Sequence, residues 1–123
     1  AGASAFTLDP DWEALMIGSE DMDTTRRIMR ALANRFANPW AARNALTTLR
    51  REGFRSVVAT PVVSVQTLPA AYDLFFSSAI EYATSCGAVT PEEAAAWLKS
   101  LLQADKRGEF FCGVVSVATL ATA

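Results

Sequence analysis

The chain has 123 residues, of which 51% are hydrophobic and 20% charged, with 11 basic side chains, 13 acidic side chains and no histidine. A chain of this length buries one core and not two, so we predict a single domain over residues 1–123. The formal net charge of −2 argues against nucleic acid as the main partner, because phosphate binding needs a basic face. Without histidine the chain has no Ser-His-Asp triad, no Cys-His pair and no imidazole metal site.

The cysteines and the hydropathy pattern predict a cytoplasmic protein that does not enter a membrane. Cys86 and Cys112 are far apart and form no C-x-x-C motif, so the sequence favours two buried thiols, with a single disulfide as the alternative. No apolar run reaches the roughly 18 residues that a membrane span requires. The first residues also lack the charged and apolar regions of a secretory signal.

The first half of the chain predicts a strand followed by two helices. The segment from Ala3 to Leu8 is apolar without alternation, which is typical of a strand covered on both faces, and a polar turn follows at residues 9–13. A helical period begins at Thr24, and Asn38-Pro39 predicts the start of a second helix. Gly53 is expected to end that helix.

The second half predicts a strand, two helices and a final strand. Residues 54–65 are rich in valine but contain Pro61, which places this strand at a sheet edge or at a bulge because proline has no N–H to donate. One helix is expected from Pro69 to Gly87, and Thr90-Pro91-Glu92-Glu93 forms a capping box that starts another, ending at Gly108. The last segment, Phe110 to Leu120, is apolar on both faces, which favours a central strand between the other two.

Several short motifs, in this order and spacing, resemble the C-terminal half of small-molecule methyltransferases that use S-adenosylmethionine. They are Leu8-Asp9-Pro10-Asp11-Trp12-Glu13, Asn38-Pro39-Trp40-x-x-Arg43, Leu49-x-x-x-Gly53-Phe54, Gly87-x-x-Thr90-x-x-Glu93-x-x-x-Trp97-Leu98 and Gly108-x-Phe110-Phe111. The resemblance covers nearly the whole chain. It implies an α/β fold that forms the C-terminal part of a doubly wound Rossmann-like sheet, with three strands, the last two antiparallel, and about four helices.

The resemblance also implies that the chain needs a second part to bind the cofactor. The family holds S-adenosylmethionine with a glycine-rich loop after its first strand and an acidic residue after its second, and the six glycines here never fall in a G-x-G spacing. S-adenosylmethionine is therefore expected to bind only when a cofactor-binding half or a partner methyltransferase chain completes the fold. We also expect the first strand to pair with a strand from that second part.

Two groups of residues are candidates for the acceptor site, and each has a structural alternative. Asp9 or Asp11 follows a strand at its carboxyl end and would orient an acceptor hydroxyl or accept its proton, with Trp12 as a pocket wall; alternatively an aspartate caps the turn and Trp12 is packed. Trp40 and Arg43 share a helix face and would clamp a planar acceptor. Alternatively, the alkyl stem of the arginine lies on the indole and the guanidinium pairs with an acid of residues 9–13.

Other candidates lie on the predicted helices. The helix between the last two strands carries Tyr72, Phe75, Phe76 and Tyr82. The resemblance implies that some of these aromatics line an apolar substrate pocket, although core packing is the favoured role for any single one of them. A basic group, Arg26, Arg27 and Arg30, is interpreted as a helix surface. No metal ligands are predicted.

These observations lead to one functional expectation and two alternatives. The expectation is the acceptor-binding part of a two-part or truncated methyltransferase that acts on a small, largely apolar metabolite of the polyketide, quinone or alkaloid type. One alternative is a non-catalytic regulatory subunit that binds and stabilises a complete methyltransferase. The other is a methyltransferase-fold cyclase.

Overall fold

The computed structural model describes residues 2–123 and has an α/β fold, with helices on both faces of an open sheet; Ala1 lies outside the described residues. Its strands are β1 (Ser4–Pro10), β2 (Met16–Ile17), β3 (Ser56–Val65) and β4 (Cys112–Thr122). Its helices are α1 (Met22–Asn34), α2 (Ala41–Arg51), α3 (Leu68–Ala71), α4 (Ser77–Ser85) and α5 (Pro91–Lys106). A π-helical turn, Tyr72–Phe76, joins α3 to α4, so these two form one helical rod.

The last strand, β4, is the centre of the sheet, as its apolar sequence predicts. It runs antiparallel to β1 on one side and to β3 on the other, so Leu120 lies between Phe6 and Val58. β2 pairs with the same edge of β4 as β1 does. Gly113 of β4 lies between Met16 of β2 and Val65 of β3. The prediction of an antiparallel final pair with the last strand in the middle is confirmed.

β3 is an edge strand within the described residues, which also agrees with the sequence. Pro61 lies opposite Val117 in the ladder. An interior position would require hydrogen bonds on both sides, and proline supplies no donor, so the edge tolerates it.

The two faces of the sheet are covered unequally. α2 contacts β1, β3 and β4, and on that face Ala42, Val57 and Ala121 are buried. On the opposite face, at the far end from Cys112, Phe6 and Leu8 are 64% and 55% exposed. The prediction that the first strand is covered on both faces is therefore wrong for this chain, because α2 covers one face there and no described helix covers the other.

The main core lies between the helices and the Cys112 end of β4. Phe76 is fully buried and packs edge-to-face against Trp97 at 5.3 Å between ring centroids. Trp97 also donates from Nε1 to Thr25 Oγ1 at 2.8 Å, which ties α5 to α1. Cys112 is buried in the same cluster, so this core joins the helices to the sheet.

The helix ends lie where local sequence signals predict them, except that α2 begins later than predicted. The capping box is present, since Thr90 accepts from the Glu93 backbone and the Glu93 side chain accepts from the Thr90 backbone. Gly53 has a φ of 98°, which favours glycine and ends α2. The start of α2 is later than predicted, at Ala41, because Asn38 and Pro39 form a preceding turn in which Asn38 Oδ1 accepts from the Trp40 N–H.

The cysteines differ from the prediction of two buried thiols. Cys112 is buried and Cys86 is exposed, and both are free. The sequence could not separate them, because Cys86 directly follows α4 and the exposure of that helix end depends on what packs beside it.

Candidate functional site

The loop after β1 brings the candidate acids to the edge of the sheet. The Asp11 N–H donates to the Val115 carbonyl at 2.8 Å and so extends the β1 ladder by one residue. The Asp11 carboxylate accepts from the Glu13 N–H at 3.0 Å, and the Ala14 N–H donates to the Asp11 carbonyl. This turn holds the loop against β4 before β2 begins.

Asp11 and Arg43 form a two-point ion pair at the start of α2. Arg43 Nε lies 2.6 Å from Asp11 Oδ2, and its terminal nitrogen lies 2.7 Å from Oδ1. The hydrogen bond to Arg43 holds the pKa of Asp11 below its usual value, against the opposing effect of burial. Because both carboxylate oxygens are engaged and Asp11 is only 5% exposed, this pair fastens α2 to the β1 loop.

Trp40, the residue directly before α2, is the third member of this cluster. The Arg43 guanidinium lies over the Trp40 ring, 4.8 Å from its centroid. Trp40 donates from Nε1 to the Glu13 carboxylate. The arginine therefore pairs with an acid of the loop, as the structural alternative has it, but the guanidinium rather than the alkyl stem lies on the indole.

A cleft of about 810 Å³ opens on the other side of the same loop, within the size range of small-molecule sites. We call it the methionine cleft, because all three methionines of the chain line it. Its walls come from the β1–β2 loop, β2, α1 and the residue before β4. They are Trp12, Glu13, Leu15, Met16, Ile17, Gly18, Ser19, Met22, Thr25, Arg26, Met29, Arg30, Ala33 and Phe111.

Trp12 is the candidate that the structure places in this cleft. Its ring stacks on Phe36, with 4.7 Å between centroids and 8° between planes. The stacking fixes the indole as a rigid wall while part of it stays exposed. Trp12 is thus packed against Phe36, which follows α1, and it also lines the cleft.

The other candidates lie elsewhere. Asp9 is exposed on β1 opposite Val117, and Tyr72 is 39% exposed on the π-helical turn. Phe75 and Phe76 are buried in the main core and contact each other edge-to-face. Neither these residues nor Asp11, Trp40 and Arg43 line the methionine cleft.

Sequence reasoning missed most of the cleft, although α1 carries a signal for it. Met22, Arg26, Met29 and Arg30 recur at helical spacing and share one side of α1. Arg26 and Arg30 are exposed, which agrees with their interpretation as part of a helix surface, and they also line the cleft. Their placement in a cleft depends on β2 and Phe111, which come from distant parts of the chain.

The charges of the cleft are two arginines and one glutamate. Within residues 2–123 neither Arg26 nor Arg30 lies within ion-pair distance of a carboxylate, whereas the intervening Arg27 pairs with Asp23 and Glu93. Glu13, the acid of the cleft, accepts a hydrogen bond from Trp40. Of the three acids in the β1 loop, Glu13 is the one that reaches the cleft.

The described residues show neither a metal site nor a membrane-spanning helix, and the comparisons with known proteins find no relative. The described residues hold no cluster of three or more histidine, cysteine or acidic side chains that would bind a metal. Among residues 2–123, no helix combines the length and the apolar character needed to cross a membrane. No protein-family model matches the chain, and a search of curated proteins finds no significant match.

Proposed function

We propose that the chain is the acceptor-binding part of a class I S-adenosylmethionine-dependent methyltransferase that acts on a small, largely apolar metabolite. The observation that carries the proposal is the order β1–β4–β3, with β4 antiparallel between two strands that run the same way. This is the order that the resemblance implies for the end of such a sheet. The helical insertion between β3 and β4 also agrees with it.

The methionine cleft is the proposed acceptor site. It lies beyond the carboxyl end of β1, where open α/β sheets place their ligands. Trp12 and Phe111 provide flat apolar walls, and Glu13 provides a carboxylate that can accept a proton from an acceptor hydroxyl. Asp11 is engaged by Arg43, so Glu13 takes the acid–base position in this proposal.

The residues of this chain do not fit the cofactor by themselves. Gly53, Gly87 and Gly108 have positive φ and serve as helix ends. Binding of S-adenosylmethionine is therefore assigned to a cofactor-binding half. The two free thiols suit a reducing compartment, and we propose a cytoplasmic location.

The surface proposed to bind the cofactor-binding half is the uncovered side of the sheet. We call it the open face; its exposed apolar residues are Phe6, Leu8, Val58, Val62 and Leu120. Phe6, Leu120 and Val58 lie in one row across three strands. A helix of the partner would cover this row, and a strand would pair with the outer edge of β1. Burying each side chain contributes about 1.5 to 3 kcal/mol at most.

The test is purification of the tagged chain from its source cells, mass spectrometry of any chain bound in equal amount, and calorimetry with S-adenosylmethionine. We expect a bound cofactor half with a glycine-rich loop, cofactor binding by the complex, and no binding by the 123-residue chain in the micromolar range, about −8 kcal/mol. Cofactor binding by the chain alone, or an equimolar partner without such a loop, would overturn the proposal.

A matched pair of variants tests the surface. Phe6→Arg places a charge on the open face and should abolish the association, because the charge would have to be buried without a partner. Val65→Arg is the control, since Val65 is 70% exposed at the far end of β3, outside the open face. Equal effects of the two substitutions would contradict the assignment of the open face.

A further inference from the structure

We infer that the methionine cleft binds a flat, apolar organic acid, with its carboxylate held by Arg26 and Arg30. This inference names the chemical class of the molecule that the cleft binds. That this molecule is a methyl acceptor rests on the proposed function. The binding itself follows from the cleft and can be tested without cofactor or partner.

The apolar walls of the cleft suit a flat ligand of variable outline. Trp12 is held rigid by its stacking on Phe36, and Phe111 lines the cleft from the start of β4. Three unbranched methionine side chains form much of the rest. Methionine adapts its shape to a ligand and its sulfur makes favourable contacts with aromatic rings.

The two arginines supply an unmatched positive charge. Arg26 and Arg30 are one helical turn apart on α1, a spacing at which like charges repel. Within residues 2–123 neither has a carboxylate partner, although Arg27 beside them is held by Asp23, Glu93 and the Ala88 carbonyl. α1 therefore uses one arginine for structure, and the other two are exposed and line the cleft without an ion-pair partner among the described residues.

Guanidinium groups recognise carboxylates with two parallel hydrogen bonds. Glu13 is the acid among the lining residues, and its carboxylate accepts from Trp40. Trp40 lies outside the lining, so this carboxylate is held from the side of the loop away from the arginines, and two arginines against one glutamate leave the lining with a net positive charge. An anionic group near Arg26 and Arg30 and an apolar ring near Trp12 and the methionines would satisfy both halves of the cleft together.

The test uses methionine methyl groups as reporters that belong to this cleft alone. With [methyl-13C]methionine, the three signals of Met16, Met22 and Met29 all report on it. Titration with 2-naphthoate is compared with 2-naphthalenemethanol, which has the same ring system and no charge. We expect both to shift the methyl signals, with naphthoate bound at least tenfold more tightly.

Substitution of the two arginines tests whether they cause the tighter binding of naphthoate. Arg26→Gln/Arg30→Gln should remove the tenfold preference for naphthoate and leave the affinity for the alcohol nearly unchanged. The control is Arg50→Gln/Arg51→Gln, which removes the same charge from the last turn of α2 and should keep the preference. The thermal unfolding of each variant is measured alongside.

Three outcomes would overturn the inference: no methyl shift with naphthoate, equal affinity for acid and alcohol, or a preference that survives Arg26→Gln/Arg30→Gln. These outcomes are independent of the partner experiment. If naphthoate binds as expected but the partner lacks a glycine-rich loop, the organic-acid site stands and its role as a methyl acceptor site falls.

Discussion

The Asp11–Arg43 pair links two parts of the chain that are 32 residues apart. The sequence shows an acidic turn and an arginine at a helix start, and it leaves open whether the arginine contacts a ligand or an acid. The structure decides this because the antiparallel pairing of β1 with β4 brings the turn under the first turns of α2. The same two residues would have suited an acceptor clamp if the loop had lain elsewhere.

Removing the guanidinium should destabilise the protein. Arg43→Met keeps an unbranched side chain beside Trp40 but removes the guanidinium that lies over its ring, and it leaves the buried Asp11 carboxylate without its charged partner. We expect a loss of about 2 kcal/mol in the free energy of unfolding, below the usual range for a buried pair because Arg43 is partly exposed. Urea denaturation measures it.

The double variant Asp11→Asn/Arg43→Met is the control for this prediction. It removes both charges, so it should recover part of the loss. If Arg43→Met unfolds at the same urea concentration as the parent chain, the pair does not hold α2 to the loop.

At the scale of elements, helix ends were the most predictable features because their signals are local. Thr90 and Glu93 are three residues apart and satisfy each other's backbone N–H groups. Glu93 has a second role that the sequence did not indicate, since its other carboxylate oxygen lies 2.6 Å from Arg27 on α1. Whether a capping residue also joins two helices depends on how those helices pack.

This double role predicts a pH dependence. The hydrogen bond from Arg27, with that from the Thr90 backbone, lowers the pKa of Glu93 from 4.5 to about 2. Between these values the unfolded chain binds more protons, so stability rises with pH there and the contribution is complete above about pH 4.5. Glu93→Gln should therefore lower Tm at pH 7, and the difference from the parent chain should shrink as pH falls towards 2.

Glu92→Gln is the matched control, since Glu92 is exposed in the same first turn of α5 and forms no ion pair within the described residues. Its effect on Tm should be small at both pH values. A deficit of Glu93→Gln that stays constant from pH 7 to pH 2 would contradict the assigned role of the ion pair.

For the whole molecule, the strand order was predictable but the coverage of the sheet was not. The apolar run of the last strand placed β4 in the centre, and Pro61 predicted either an edge or a bulge for β3, of which the structure shows the edge. The uncovered region around Phe6 and Leu120 had no sequence signal, because an apolar residue has the same sequence pattern whether or not a helix lies over it. Coverage depends on where the helices reach.

Replacing a buried phenylalanine and an exposed one should change the free energy of unfolding by different amounts. Phe76→Ala removes a fully buried ring that packs against Trp97 and Phe110, and should cost about 3 to 5 kcal/mol of unfolding free energy. Phe6→Ala changes a ring that is 64% exposed and should cost less than about 1 kcal/mol. Urea denaturation of both variants at low protein concentration makes the comparison, and equal losses would mean that the open face is covered in the free chain.

The sequence by itself determined the features that arise from interactions between near neighbours: the helical periods, the capping box and the glycine ends. It also predicted a central position for the last strand, from its apolar residues on both faces, and an edge or a bulge for the strand with Pro61. Tertiary structure alone decided that Asp11 meets Arg43, that Phe75 and Phe76 belong to the core, and that the methionine cleft forms. These depend on contacts between residues tens of positions apart. Such contacts are set by how whole elements pack, and no local pattern carries that information.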